Sequence, residues 1–285
     1  MNKRIEIIGG AAVLFAVVLG AWWFPTAGPE RPDAGITVNA GITADEDALP
    51  VPPVPPRIAA GPDYEYCLEM IDADPAGANR FAETWEAIHS GEGAAHCRAL
   101  ALIALGEPEA GARMLDQLGE RSQASALTRA SVYGQAAQAW RMADEPDRAL
   151  AAATAALALN PDDPDRLIDR SIAAATLERY QEAIDDLDRA IQIDPKRFDA
   201  LVLRAAAWRL HARLDRAKDD VERALSINPD YPEALLERGI LRQRTGDAAG
   251  ARADWEQAIA LAPDSTAADL AQQNLALLEA GPEKN

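Results

Sequence analysis

The sequence predicts an all-α fold built as a solenoid of helix pairs, and three observations predict it. Four prolines, Pro161, Pro195, Pro229 and Pro263, stand 34 residues apart. Counting each proline as position 32 of a unit, small residues recur in register: Ala149, Ala183, Ala217 and Ala251 at position 20, Ala156, Ala190, Ala224 and Ala258 at position 27, and Ala137, Ser171, Ala205 and Gly239 at position 8. Bulky residues recur with them, namely Tyr133, Leu167, Leu201 and Leu235 at position 4, Trp140 and Trp208 at position 11, and Leu187, Val221 and Trp255 at position 24. Small side chains let two helix backbones approach closely and the bulky ones fill the remaining space, so all of these are expected in the core. A fixed period of this length means that each unit buries its apolar face only by stacking on its neighbours, which favours binding over catalysis as the role.

The four units run 130–163, 164–197, 198–231 and 232–265. Each proline follows an apolar helical run, as at 190–195 and 224–229, and its ring disfavours helix at the residue before it, so it ends the second helix of its unit. Asp165, Asp199 and Glu233 then open the next first helix, where a carboxylate favours the positive end of the helix dipole. After the last proline, 266–280 reads as one more amphipathic helix carrying Leu270, Leu275, Leu277 and Leu278, and 266–285 is expected to be a capping helix and tail that closes the exposed end of the stack.

This combination of small, bulky and proline positions in one register resembles the tetratricopeptide repeat family, from about residue 92 to the C-terminus. The resemblance implies a right-handed superhelical α-solenoid that acts without catalysis, binding a protein or peptide on a concave face lined by positions 2, 5, 9, 12 and 13 of each first helix. Here that face comprises Gln138 and Met142, Asp165, Ile168 and Ile172, Asp199, Val202, Ala206 and Arg209, then Glu233, Leu236, Ile240 and Arg244. The family's clamp for a C-terminal carboxylate needs Lys and Asn at positions 5 and 9. This chain has Gly134, Ile168, Val202 and Leu236, then Gln138, Ile172, Ala206 and Ile240, so that chaperone-tail role is not expected. An aliphatic floor with a rim of acids and arginines suits an amphipathic or extended peptide. Each aliphatic is equally well read as packing against the adjacent helix.

A polar pattern shares the period. Arg170, Arg204 and Arg238 occupy position 7, and Asp186, Asp220 and Asp254 occupy position 23; the first unit lacks both, with Ala136 and Ala152 there. Joint presence and joint absence predict pairing between the two helices. The alternative is that both are solvated charges, which as exposed pairs contribute only about 0–1 kcal/mol.

At the N-terminus, Lys3 and Arg4 precede an uncharged stretch at 7–24, nearly long enough as a helix to span a bilayer core, with Trp22 and Trp23 at its far end. Residues 1–24 are therefore expected to be a transmembrane signal-anchor in the inner membrane, single-pass, with the N-terminus cytoplasmic and the bulk periplasmic. A cleavable signal peptide is the rival, with Val18-Leu19-Gly20 its weak cleavage site. Residues 25–62 turn to proline, glycine and acids, densest from Pro50 to Pro56, and are expected to be a disordered, semi-stiff linker.

Residues 63–129 are helical but irregular, with Gly106, Glu107 and Pro108 where a unit would turn, consistent with a degenerate extra copy. The chain's two cysteines, Cys67 and Cys97, both lie here on apolar helix faces, and an even count outside the cytoplasm reads as a disulfide. It would close a 31-residue loop, which chain entropy values at roughly 3.5 kcal/mol. A metal site from Cys67, His89, His96 and Cys97 lacks the close ligand pairs of structural zinc. No cofactor is expected, since Cys-x-x-Cys-His, glycine-rich phosphate loops, His-Glu-x-x-His and Gly-x-Ser-x-Gly are all missing. A net charge of −18 repels nucleic acid.

The resulting expectation is a non-enzymatic scaffold or adaptor of the bacterial cell envelope that binds a protein or peptide partner. The alternatives are a factor that holds apocytochrome during cytochrome c maturation, or a thiol redox-sensing module using Cys67 and Cys97. Self-association of the solenoid stays open.

Overall fold

The computed structural model describes residues 56–89 and 91–280. Among these residues it consists of thirteen helices: α1 (Pro62–Ala73), α2 (Pro75–Ile88), α3 (Glu92–Ala104), α4 (Pro108–Arg121), α5 (Ala126–Met142), α6 (Pro146–Leu159), α7 (Pro164–Thr176), α8 (Tyr180–Ile193), α9 (Phe198–Leu210), α10 (Leu214–Ile227), α11 (Pro232–Arg244), α12 (Ala248–Leu261) and α13 (Thr266–Ala280). Each helix packs on its neighbours in sequence, as a stack requires.

The boundaries follow from the local chemistry. α6, α8, α10 and α12 each end two residues before the periodic proline, and the residue between them (Asn160, Asp194, Asn228 or Ala262) leaves helical backbone as a C-cap. Within each unit the turn is made by a residue in the left-handed region: Asp144, Glu178, Ala212 and Gly246, all at position 15. Only the last of these is a glycine, so three units carry a backbone strain that glycine would avoid. Gly106 makes the same left-handed turn between α3 and α4. Asp163 caps α7 by accepting from the backbone N–H groups of Asp165 and Arg166, and Asp247 caps α12 by accepting from that of Gly250.

The periodic small residues are where the sequence places them. Ala183, Ala217 and Ala251 are wholly buried, as are Ala156, Ala190, Ala224 and Ala258. At Gly239 an added Cβ would collide with the indole of Trp255, whose own N–H donates to the Leu236 carbonyl at 3.2 Å. Trp140, Trp255, Leu187 and Val221 fill the core. Tyr133 and Trp208 depart from the expectation: both are half-buried. In α13, Leu270 is buried against the last unit while Leu277 is exposed.

First helices of consecutive units pack on one another, α5 on α7, α7 on α9, α9 on α11 and α11 on α13, and among the described residues consecutive second helices have no packing of similar extent. The row of first helices is thus the tighter, inner side of the array, and clefts open between the second helices.

One expectation is corrected. Among the described residues no helix is long and apolar enough to cross a membrane, so the transmembrane helix assigned to the fold and the single-pass inner-membrane placement do not stand. The described helices run 12–17 residues and spend their apolar residues on neighbouring helices. The stretch 7–24 that prompted the expectation, and the linker up to residue 55, lie outside the described residues.

Candidate functional site

The three expected arginine–aspartate pairs all form, each bidentate. Arg170 donates to Asp186 at 2.8 and 2.5 Å, Arg204 to Asp220 at 2.8 and 2.5 Å, and Arg238 to Asp254 at 3.0 and 2.7 Å. They are not solvated charges, since all three aspartates are buried. Two of the arginines also reach back to the preceding unit: Arg204 meets Asp188 at 2.6 Å and Arg238 meets Glu222 at 3.8 Å. The pairs thus join the helices of one unit and the units to each other.

The residues expected to line the concave face separate into two groups. Ile168, Ile172, Val202, Ala206, Leu236, Arg209 and Glu233 are buried, the aliphatics among them packed against adjacent helices in the core. Gln138, Asp199 and Ile240 are half-buried, and Met142, Asp165 and Arg244 are exposed. The aliphatic floor is therefore used up by stacking, because the first helices approach closely on this side. Part of the acidic rim is also neutralised: Arg197 binds both Asp165 and Asp199 at 2.7 Å. The sequence pattern does not single out Arg197, since position 34 holds a different residue type in each unit.

Sequence reasoning also missed position 6. Gln135, Asp169 and Glu237 stand there in three of four units, all buried, with Leu203 in the third unit. Asp169 pairs with Arg166 of its own helix at 3.1 Å and, across the joint to α5, with Arg141 at 3.8 Å. Glu237 pairs with Arg209 of α9 at 2.6 Å, with both side chains at 0% exposure. Arg141 and Arg209 both occupy position 12 and reach position 6 of the next unit. At the intervening joint those places hold Ala175 and Leu203, apolar on both sides. A polar residue recurring in an otherwise apolar stretch was the available signal.

The α9–α11 joint is the most charged part of this inner row. Both terminal amino groups of Arg209, Oε2 of Glu237 and Oε2 of Glu233 have no hydrogen-bond partner among the described residues. Burial pushes the carboxyls of Glu233 and Glu237 up, and for Glu237 the adjacent Arg209 pulls the other way. Arg244 is pushed down, first by burial and then by repulsion from Arg209. What this joint leaves at the surface is half-buried Ile240 and exposed Arg244.

Cys67 and Cys97 form a disulfide between α1 and α3, and both are wholly buried, which fits a structural tie. Next to it, the hydroxyl of Tyr64 donates to Nδ1 of His96 at 2.7 Å, and Nε2 of His96 lies 2.7 Å from the Gln135 side-chain oxygen. The oxygen can only accept, so Nε2 carries the proton and His96 is neutral. Burial pushes its pKa down to about 4. His96 thus holds α1 and α5 rather than a metal, and His89 is exposed on a separate surface.

No curated protein matches the chain in sequence. Among solved structures it is similar to TTC0263, a thermophilic TPR protein of Thermus thermophilus, at 20% identity and a TM-score of 0.53, over 66% of this chain and 100% of that one. It is similar to the structure of the APC/C hetero-tetramer Cut9-Hcn1 at 15% identity and a TM-score of 0.57, covering 75% of this chain but only 42% of that one. It is also similar to MamA, residue 41 to the end, of Desulfovibrio magneticus RS-1, at 14% identity and a TM-score of 0.50, over 71% of this chain and 97% of that one. At such identities these likenesses bear on the fold. Residues 137–208 and 210–276 match the model of the tetratricopeptide repeat family. With the 34-residue register and the stacked helix pairs, this part of the chain is similar to that family and has the fold of a tetratricopeptide-type α-solenoid.

Proposed function

We propose that the protein is a non-enzymatic scaffold that binds a protein or peptide on its inner row of helices, centred where α9 meets α11. Tetratricopeptide proteins generally act as scaffolds of this kind. The similar structure of the APC/C Cut9-Hcn1 is that of a hetero-tetramer, and this supports a partner-binding role for a similar array. The observation that carries the reading is what this row leaves at the surface: half-buried Ile240 beside exposed Arg244, with exposed Met142 on the first helix of the array.

Site-specific photo-crosslinking tests the reading. A benzophenone side chain placed at Met142, Ile240 or Arg244 should capture a common partner, and the same group at exposed Arg189 on α8 should not. Crosslinks confined to position 189 would overturn it.

A further inference from the structure

The strongest feature outside the inner row is a cleft of about 540 Å³ between the second helices α8 and α10, floored by α9. Trp208 lines it with Ile191 and Pro195, and Arg216 and Arg223 stand on its α10 side. Arg204 at its base is fully engaged by Asp188 and Asp220. The guanidinium of Arg216 lies 5.3 Å from the centre of the Trp208 ring and has no carboxylate partner among the described residues, where Arg223 bonds only the Pro195 carbonyl, at 3.0 Å. In a chain with a net charge of −18, whose other arginines are mostly paired with acids, two uncommitted guanidinium groups flanking an indole form a local exception.

The first unit shows what such a pair is built to hold. Trp140 and Arg148 occupy the same positions 11 and 19 as Trp208 and Arg216, and the guanidinium of Arg148 lies 4.5 Å from the Trp140 ring. There the indole N–H donates to the carboxylate of Asp116 on α4 at 2.7 Å, with Arg148 close enough to stabilise the charge. On α8 the equivalent place, eight residues into the helix, is held by Asp188, but Arg204 draws that carboxylate away at 2.6 Å. The first unit has Ala136 where Arg204 stands, so nothing competes for Asp116. The indole N–H of Trp208 consequently has no acceptor among the described residues.

We propose that this cleft docks an extended acidic segment of a partner protein, one carboxylate meeting Trp208 and Arg216 as Asp116 meets Trp140 and Arg148, and a second meeting Arg223. Arg216 and Arg223 are seven residues apart on one helix, about 10.5 Å along its axis. In a polyproline II segment, side chains three residues apart return to the same side about 9 Å further on, so two acids at that spacing span the two arginines. Asp219 between them sets the opposite preference at the centre, where a neutral or proline residue fits against Ile191 and Pro195. This site is separate from the inner row proposed above and does not depend on it.

The probe is a fluorescein-labelled peptide with two glutamates three residues apart around a proline, followed by fluorescence anisotropy on the purified protein. Its counterpart with lysines in place of the glutamates and a single-stranded oligonucleotide of equal length are measured alongside. The glutamate peptide should bind, weaken with added salt, and lose about tenfold or more in affinity to the double variant Arg216→Glu, Arg223→Glu. Both arginines are exposed, and an unchanged circular dichroism melt verifies that the variant is folded. Met142→Glu with Arg244→Glu on the inner row should leave this binding intact. No binding of the glutamate peptide at millimolar concentration, equal binding by the double variant, or preference for the lysine peptide or the oligonucleotide would each overturn the proposal.

Discussion

The start of the described chain and the repeat array solve the same stacking problem by different means. In the array, every unit has small residues at positions 8, 20 and 27, and the second to fourth units add a bulky residue at position 24 and an Arg–Asp pair between positions 7 and 23. At the beginning, α1 to α4 use links that occur once, the Cys67–Cys97 disulfide and the Tyr64–His96–Gln135 chain of hydrogen bonds. A repeat gains stability from neighbours on both sides, and among the described residues the first helices have a neighbour on one side only. Covalent and buried polar ties hold that end, and they make it sensitive to reductant and acid in ways the array is not.

The largest effect should come from breaking the covalent tie. Replacing both cysteines by serine should cost roughly 3.5 kcal/mol through the loop entropy returned to the unfolded chain, seen as an early thermal transition confined to the N-terminal helices. A single cooperative shift of the whole protein would show that the two regions are not energetically distinct.

Acid sharpens the same contrast. His96 has a folded pKa of about 4, below the ordinary 6.5, so the unfolded chain binds the proton more readily. The contribution is whole above pH 6.5 and is lost as pH falls toward 4, by roughly 3 kcal/mol in total. Chemical denaturation at stepped pH should show this decline, and His96→Asn should abolish its portion between pH 6.5 and 5.

In the array, Arg204→Ala leaves Asp220 buried without its partner and should destabilise by about 2–3 kcal/mol, less than a fully buried pair because Arg204 is partly solvated. Arg189→Ala, which breaks an exposed pair with Asp162, should cost under about 1 kcal/mol. Equal effects in urea melts would mean that the periodic pairs are surface ornaments after all.

The smallest expected effect is a gain. Ala212 holds a left-handed turn that Gly246 makes without a Cβ, so Ala212→Gly should stabilise by about 1 kcal/mol, offset in part by the flexibility glycine adds to the unfolded chain. A loss in thermal melting would point to a contact made by that methyl group.

What could be read from the residues alone follows the same division. Helix pairs, turns at the periodic prolines, the Arg–Asp pairs and the disulfide were legible because each is carried by a residue type recurring in register or by an unambiguous cysteine count. Position 15 was not legible, since Asp144, Glu178, Ala212 and Gly246 share a backbone angle and no chemistry. The inner row was misleading for a physical reason: Ile168, Ile172, Val202 and Leu236 look like a groove floor in sequence, but the close approach of first helices consumes them as core. Links between Arg141 and Asp169, and between Arg209 and Glu237, escaped because they alternate with the apolar pair Ala175 and Leu203, which hides a 34-residue period. The Tyr64–His96–Gln135 chain joins residues 32 and 39 apart with no periodic partner to reveal it.

Native-state hydrogen exchange on Cys67→Ser with Cys97→Ser, compared with Arg204→Ala, tests the division most directly. The cysteine variant should lose protection in α1 to α4 and keep it from α8 onward, while the arginine variant should lose it in α8 to α10 and keep it in α1 to α4. If both variants lose protection throughout the chain, the molecule is one cooperative unit and the contrast drawn here fails.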